Sequence, residues 1–170
     1  MTEQETMQEW MKLAQPGKKH EMLKRHEGEW NVTMRSWMQP GEPPTEGKGT
    51  ARYKMILGGR VMTEEFHGDF MGMPFEGHGM IGYDNYRGRW WQTWNDNMGT
   101  GIYKGEGTGS PDGKVITIIG KSDRPAQNLK DLEMKGIYRF PNDNLHIFET
   151  YDKGPDGKDI KTMEIEYRRK

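Results

Sequence analysis

Apolar residues recur at helical spacing only near the start of the chain. Met7, Trp10, Met11 and Ala14 share one helical face behind Thr2-x-x-Glu5, a pattern in which the Thr hydroxyl and the Glu carboxylate cap each other's backbone N–H groups. Pro16-Gly17 ends that helix, and a second, shorter one is expected from Lys18 to about Arg25. From Gly28 onward the period becomes two and stays there. The chain therefore divides into a helical leader, residues 1–27, packed on a single β domain, residues 28–170.

Turn signals cut the β region at Pro40-Gly41, Leu57-Gly58-Gly59, Met71-Gly72, Asp84-Asn85, Asn97-Met98-Gly99, Pro111-Asp112-Gly113, Pro141-Asn142-Asp143-Asn144 and Pro155-Asp156-Gly157. About ten strands lie between them with no intervening helices. Many of the 23 glycines fall inside strand-like runs such as Gly77-x-Gly79 and Gly105-x-Gly107-x-Gly109, where bends account for them better than phosphate binding, since no helix follows. The expected fold is all-β: an antiparallel up-and-down β-barrel with the helical leader covering one end, a sandwich being the alternative.

Parity assigns the faces. Pairing Phe70 with Phe75 and Met62 with Tyr83 puts Met62, Glu64, Phe66, Phe70, Phe75, Ile81 and Tyr83 on one apolar face, with Glu64 the single carboxylate pointing inward. The opposite face then holds His67 directly across from His78, near Glu65, Asp69 and Glu76; a metal site is geometrically conceivable there, but a solvated polar set fits an outward face better. Pairing Tyr151 with Asp159 turns Leu145, Ile147, Glu149 and Tyr151 inward with Lys161, Met163, Ile165 and Tyr167, making Glu149–Lys161 a cross-strand ion pair. In the strand 89–96 the inward set is taken as Trp90, Gln92, Trp94 and Asp96.

Composition changes this picture in two ways. Six Trp, seven Tyr, five Phe and 14 Met supply most of the apolar residues, so the interior is built from large polarizable side chains. A formal net charge of -1 from 25 basic and 26 acidic residues gives no electrostatic footprint for nucleic acid. No run is long enough for a membrane-spanning helix, and the opening Met-Thr-Glu-Gln-Glu lacks a signal-peptide pattern, so the expectation is a cytoplasmic protein with neither nucleic acid nor membrane as partner. Zero cysteines exclude thiol chemistry and disulfides. Self-association as a homo-oligomer is left open.

Gly28-Glu29-Trp30 at the first strand, with Arg168 or Arg169 near the end, resembles the lipocalin and fatty-acid-binding calycin pattern, in which the Arg packs over the Trp at the closed end; strand parity favours Arg169. A broader resemblance rests on Leu57-Gly58-Gly59-Arg60, Pro74-Phe75-Glu76-Gly77, Gly82-Tyr83-Asp84-Asn85, Thr93-Trp94-x-Asp96-Asn97-Met98-Gly99-Thr100 and the Tyr167-Arg168-Arg169-Lys170 ending. These runs are similar to the bacterial domain of unknown function 1579 family. The resemblance implies a calycin-like barrel and carries over no catalytic residue.

The functional expectation is a barrel that binds a small, mainly apolar molecule in its interior, as a carrier or sensor. Tyr53, Phe66, Tyr83, Trp94 and Tyr151 would supply contact area, and Glu64 and Glu149 would fix a polar group. An inward carboxylate is costly unless paired or protonated, so Glu64 is expected to meet Arg35, Arg52 or water. The rival is an enzyme that uses an interior carboxylate for proton transfer, in the manner of an isomerase or hydratase. Haem binding through a barrel histidine is disfavoured because parity turns no histidine inward.

Overall fold

The computed structural model describes all 170 residues. Two helices, α1 (Glu3–Ala14) and α2 (Lys18–Lys24), precede ten strands: β1 (Gly28–Ser36), β2 (Thr45–Ile56), β3 (Val61–Phe70), β4 (Met73–Asp84), β5 (Arg89–Asp96), β6 (Tyr103–Gly109), β7 (Val115–Arg124), β8 (Leu129–Asn142), β9 (Leu145–Lys153) and β10 (Asp159–Arg169). Every strand pairs antiparallel with its sequence neighbours, and β1 also pairs with β10. This closed up-and-down barrel leaves no free sheet edge.

Turn chemistry sets the β3–β4 register. Met71 and Gly72, with φ of 54° and 78°, form a two-residue turn whose twist suits a hairpin. Phe70 accordingly faces Met73, and Met62 faces Ile81, two residues tighter than the expected pairing. A shift of two leaves the faces unchanged but exchanges partners. His67 stands opposite Glu76 and His78 opposite Glu65, so the two histidines are not cross-strand partners. His67 and Glu76 are exposed, 3.7 Å apart.

In the last hairpin the shift is odd. Tyr151 pairs with Lys161 rather than Asp159, and the register then slips by one residue between Lys161 and Met163. This β-bulge at Thr162, where the Thr162 and Thr150 hydroxyls lie 2.8 Å apart, reverses the parity of β9 relative to β10. Met163, Ile165 and Tyr167 face inward as expected, but their partners are Thr150, Phe148 and His146. Leu145, Ile147, Glu149 and Tyr151 are thereby turned off the inner face. Glu149 does bind Lys161 at 2.7 Å, with Arg139 at 2.9 Å, on the outer wall.

One end of the barrel is sealed by aromatic packing. Trp30, fully buried, lies beneath the Arg169 guanidinium, 4.4 Å from its ring centre. Arg169 also donates to the backbone carbonyls of Arg25, Glu27 and Asp143, tying the start of β1 to the β8–β9 turn. Below it His26, His146, Tyr53, Phe140 and Tyr167 form a contiguous cluster of stacked and edge-on rings. Helix α2 seats Leu23 and His20 at this same end, where His20 Nε2 meets the Tyr83 carbonyl at 3.1 Å.

The leader's first helix behaves differently from the expectation. The Thr2–Glu5 capping box forms, but α1 buries no residue, and Met7, Trp10 and Met11 are all more than half exposed. Hydrogen bonds from Arg60 and Asn85 to the carbonyls of Leu13, Ala14 and Gln15 hold only its C-terminal end. The apolar face of α1 therefore does not pack on the barrel; α2 alone does.

Candidate functional site

Toward the other end, the barrel interior opens into a cavity of about 410 Å³. Its wall is mostly apolar and aromatic, and Glu64, Gln92 and Tyr138 border both this cavity and a small void of about 10 Å³ beneath it. Trp94 forms part of this wall. A β-carbon at Gly77 or Gly79 would overlap its indole, so these two glycines make room for a ring that lies against the β4 backbone. The indole N–H donates to Asp96 Oδ2 at 2.9 Å, which fixes the ring further.

Glu64, at 7% exposure, is the one carboxyl in the floor. Neither Arg35 nor Arg52 reaches it. Arg35 pairs with Glu46 and Glu164, and Arg52 stands opposite Glu65 in the β2–β3 ladder. The Tyr167 hydroxyl donates to Glu64 Oε1 at 2.8 Å, and the Tyr53 hydroxyl lies close by, itself 3.3 Å from His146 Nε2. Burial outweighs these hydroxyls and pushes the Glu64 carboxyl up to about 7, since neutral donors offset only part of the lost hydration. Near neutral pH this group therefore exists in both protonation states.

Residues 15–169 match the family described as Protein of unknown function (DUF1579). The chain is a member of the DUF1579 family. Among solved structures, the DUF1579 chain is similar to that of Rv2717c from M. tuberculosis, with a TM-score of 0.65, 14% identity, and coverage of 92% of this chain and 99% of that one. It is also similar to the S-type phycobiliprotein lyase CPES from Guillardia theta, with a TM-score of 0.61, 14% identity, and coverage of 88% and 91%. At such identity these likenesses establish a shared barrel fold. No curated protein is a significant match to the DUF1579 chain, and no helix of it is long and apolar enough to cross a membrane.

The DUF1579 barrel brings some of the sequence-selected residues together and scatters others. Glu64, Phe66 and Trp94 line the cavity, as do Gln92 and Asp96 from the inward face of β5. Tyr53 sits behind Glu64, in the small void under the floor. Tyr83 packs at the sealed end against Trp90 and His20. Glu149 and Tyr151 lie on the far side of β9, displaced by the Thr162 bulge. Three cavity tyrosines escaped selection: Tyr103, Tyr138 and Tyr167. Tyr167 shared the inward parity of β10, and Tyr138 has glycine two positions before it at Gly136, where a β-carbon would press on Phe148; such glycine–aromatic alternation was the available signal.

His146 corrects the parity reading directly, being inward and only 1% exposed. It lies beneath Tyr53 and Tyr167, and no histidine lines the cavity. Burial, reinforced by His26 and Arg169, holds the His146 imidazole well below its usual range, so it packs as a neutral ring.

Proposed function

We propose that residues 28–170 form a cytoplasmic carrier or sensor domain that binds a small, mainly apolar molecule within the barrel, the leader of residues 1–27 lying outside the site. The observation that supports this is the cavity itself, whose about 410 Å³ falls in the range of small-molecule sites and whose apolar wall converges on a few polar groups. Phe66, Trp94 and Tyr138 provide contact area, and Glu64 provides the anchor, with Tyr53 and Tyr167 holding its carboxyl in place. Tyr83, Glu149 and Tyr151 have no part in this site.

Proton transfer by Glu64 is the second reading, favoured by the poise of its carboxyl near neutrality. It lacks a second titrating partner in the floor other than tyrosines held above their usual range by burial.

Native mass spectrometry of the protein purified from its own cells tests the binding reading, with a retained small molecule as the expected result. Nile red titration provides the control in vitro. Ser122→Phe, which puts a ring into the cavity, should abolish the fluorescence rise while leaving the unfolding temperature within a few degrees. An unaltered rise would place the dye elsewhere and remove the support for an interior site.

A further inference from the structure

The distribution of charge around the cavity separates two kinds of apolar ligand. The side chains bearing formal charge in its wall are both carboxylates, Glu64 in the floor and Asp96 above it. Arginines and lysines are abundant on the same strands, yet none reaches the lining. Arg35 binds Glu46 and Glu164, Arg139 and Lys161 bind Glu149, and Arg124 binds Asp152. Neither carboxylate of the lining has a basic partner, whereas Glu46, Glu149 and Glu164 on the outer wall each have one.

Two other polar atoms of the wall are left open. Gln92 Oε1 and Tyr103 Oη are buried and without a hydrogen-bond partner, and both residues line the cavity. A carbonyl oxygen can only accept, a phenol both donates and accepts, and the Glu64 carboxylate, held by the Tyr167 and Tyr53 hydroxyls, still has lone pairs to spare. Glu64 and Gln92 Oε1 therefore present acceptors that call for N–H donors. Phe66, Trp94, Tyr103 and Phe148 line the same wall, and aromatic rings attract cations.

Resting on the binding function proposed above, we propose that the ligand is a lipophilic amine bound as its ammonium ion, with the nitrogen held by Glu64 and Gln92 and the apolar body against the aromatic wall. A fatty carboxylate would bring a second negative charge to a floor that holds no cation, which is unfavourable in a buried setting. The ammonium group supplies three N–H donors and no acceptor, which suits the Glu64 carboxylate and Gln92 Oε1. Its arrival also stabilises the ionised form of Glu64, so below neutrality binding expels the Glu64 proton. Tyr53 from β2, Tyr138 from β8 and Tyr167 from β10 face the same carboxyl, and all three stay protonated because burial holds them above their usual range.

The test is calorimetric titration of the full chain with decylammonium, decanol and decanoate, all below their micelle concentrations. At pH 8, above the about 7 of Glu64, decylammonium should bind at least about tenfold more tightly than decanol, and decanoate most weakly. Glu64→Gln should cost decylammonium about tenfold or more and leave decanol within about threefold. Gln92→Met, which keeps the volume and removes the acceptor, should lower decylammonium affinity in the same direction. Near pH 6, paired buffers of different ionisation heat should report a released proton in the parent protein and none in Glu64→Gln. Decanol or decanoate binding as tightly as decylammonium would overturn the amine assignment and leave the apolar-ligand function standing. An amine preference that survives both variants would also overturn it, by moving the nitrogen away from the floor. Failure of all three probes to bind would overturn the binding function itself.

Discussion

The two ends of the barrel are made from the same residue types and solve opposite problems. At the sealed end, Trp30, Tyr53, His26, His146 and Phe140 pack ring on ring under Arg169, and the guanidinium's donors are taken up by three backbone carbonyls. At the open end, Phe66, Phe75, Trp94 and Phe148 stand around a cavity of about 410 Å³. Aromatic content alone thus says nothing about whether an interior is a core or a receptor. The difference lies in what fills the space between rings.

The largest expected effect breaks the sealed end. Trp30→Ala should lower the unfolding free energy in denaturant by about 3–5 kcal/mol, the usual cost of truncating a buried indole in a packed site. A cost under about 1 kcal/mol would mean that the end is not a packed core.

Titration should separate the two ends by sign. His26 is held down to about 4 by burial and by Arg169, so it folds as the neutral form. The unfolded chain binds a proton near pH 6.5 that the folded chain refuses, and stability is lost as pH falls from there toward 4, by about 3 kcal/mol. Glu64 runs the other way. Its carboxyl sits at about 7 in the fold against an ordinary 4.5, so the folded chain retains the proton longer and stability falls as pH rises between those values, again by about 3 kcal/mol. In thermal unfolding, Glu64→Gln should match the parent protein near pH 4.5 and exceed it by several degrees near pH 8. A constant offset across that range would show that Glu64 does not titrate in the fold.

Smaller effects sharpen the contrast. Phe75→Ala, at the half-buried rim of the cavity, should cost only about 1 kcal/mol, because the ring already faces open volume. Removing residues 1–14 should change stability by less than about 1 kcal/mol, since α1 buries nothing. A larger loss on that truncation would indicate a contact for the Met7, Trp10 and Met11 face.

How much of this was legible in the sequence depended on whether an error was even or odd. Around Met71-Gly72 the pairing moved by two, and Glu64 and Phe66 stayed inward with their partners changed. At Thr162 the pairing moved by one, and the whole of β9 exchanged faces. The odd-numbered set Leu145, Ile147, Glu149 and Tyr151 resembles an interior face more than His146, Phe148 and Thr150 do, so hydrophobic parity pointed the wrong way. Only the bulge, one extra backbone residue at Thr162, sets it right. The amphipathic spacing in α1 was equally readable and equally uninformative about packing, because periodicity describes a face and not its neighbour.

Trp94 and its two glycines carry an evolutionary consequence. Neither Gly77 nor Gly79 can acquire a side chain while the indole lies upon them, and a smaller residue at position 94 would leave a bare groove above β4. The three positions form an epistatic unit, in which a replacement harmless in one background is forbidden in another and the order of substitutions decides which descendants are reachable. A lineage that first shortened Trp94 could later fill the groove from beneath and reshape the cavity. One that retains the indole inherits the present wall unchanged, whatever drifts elsewhere on the barrel.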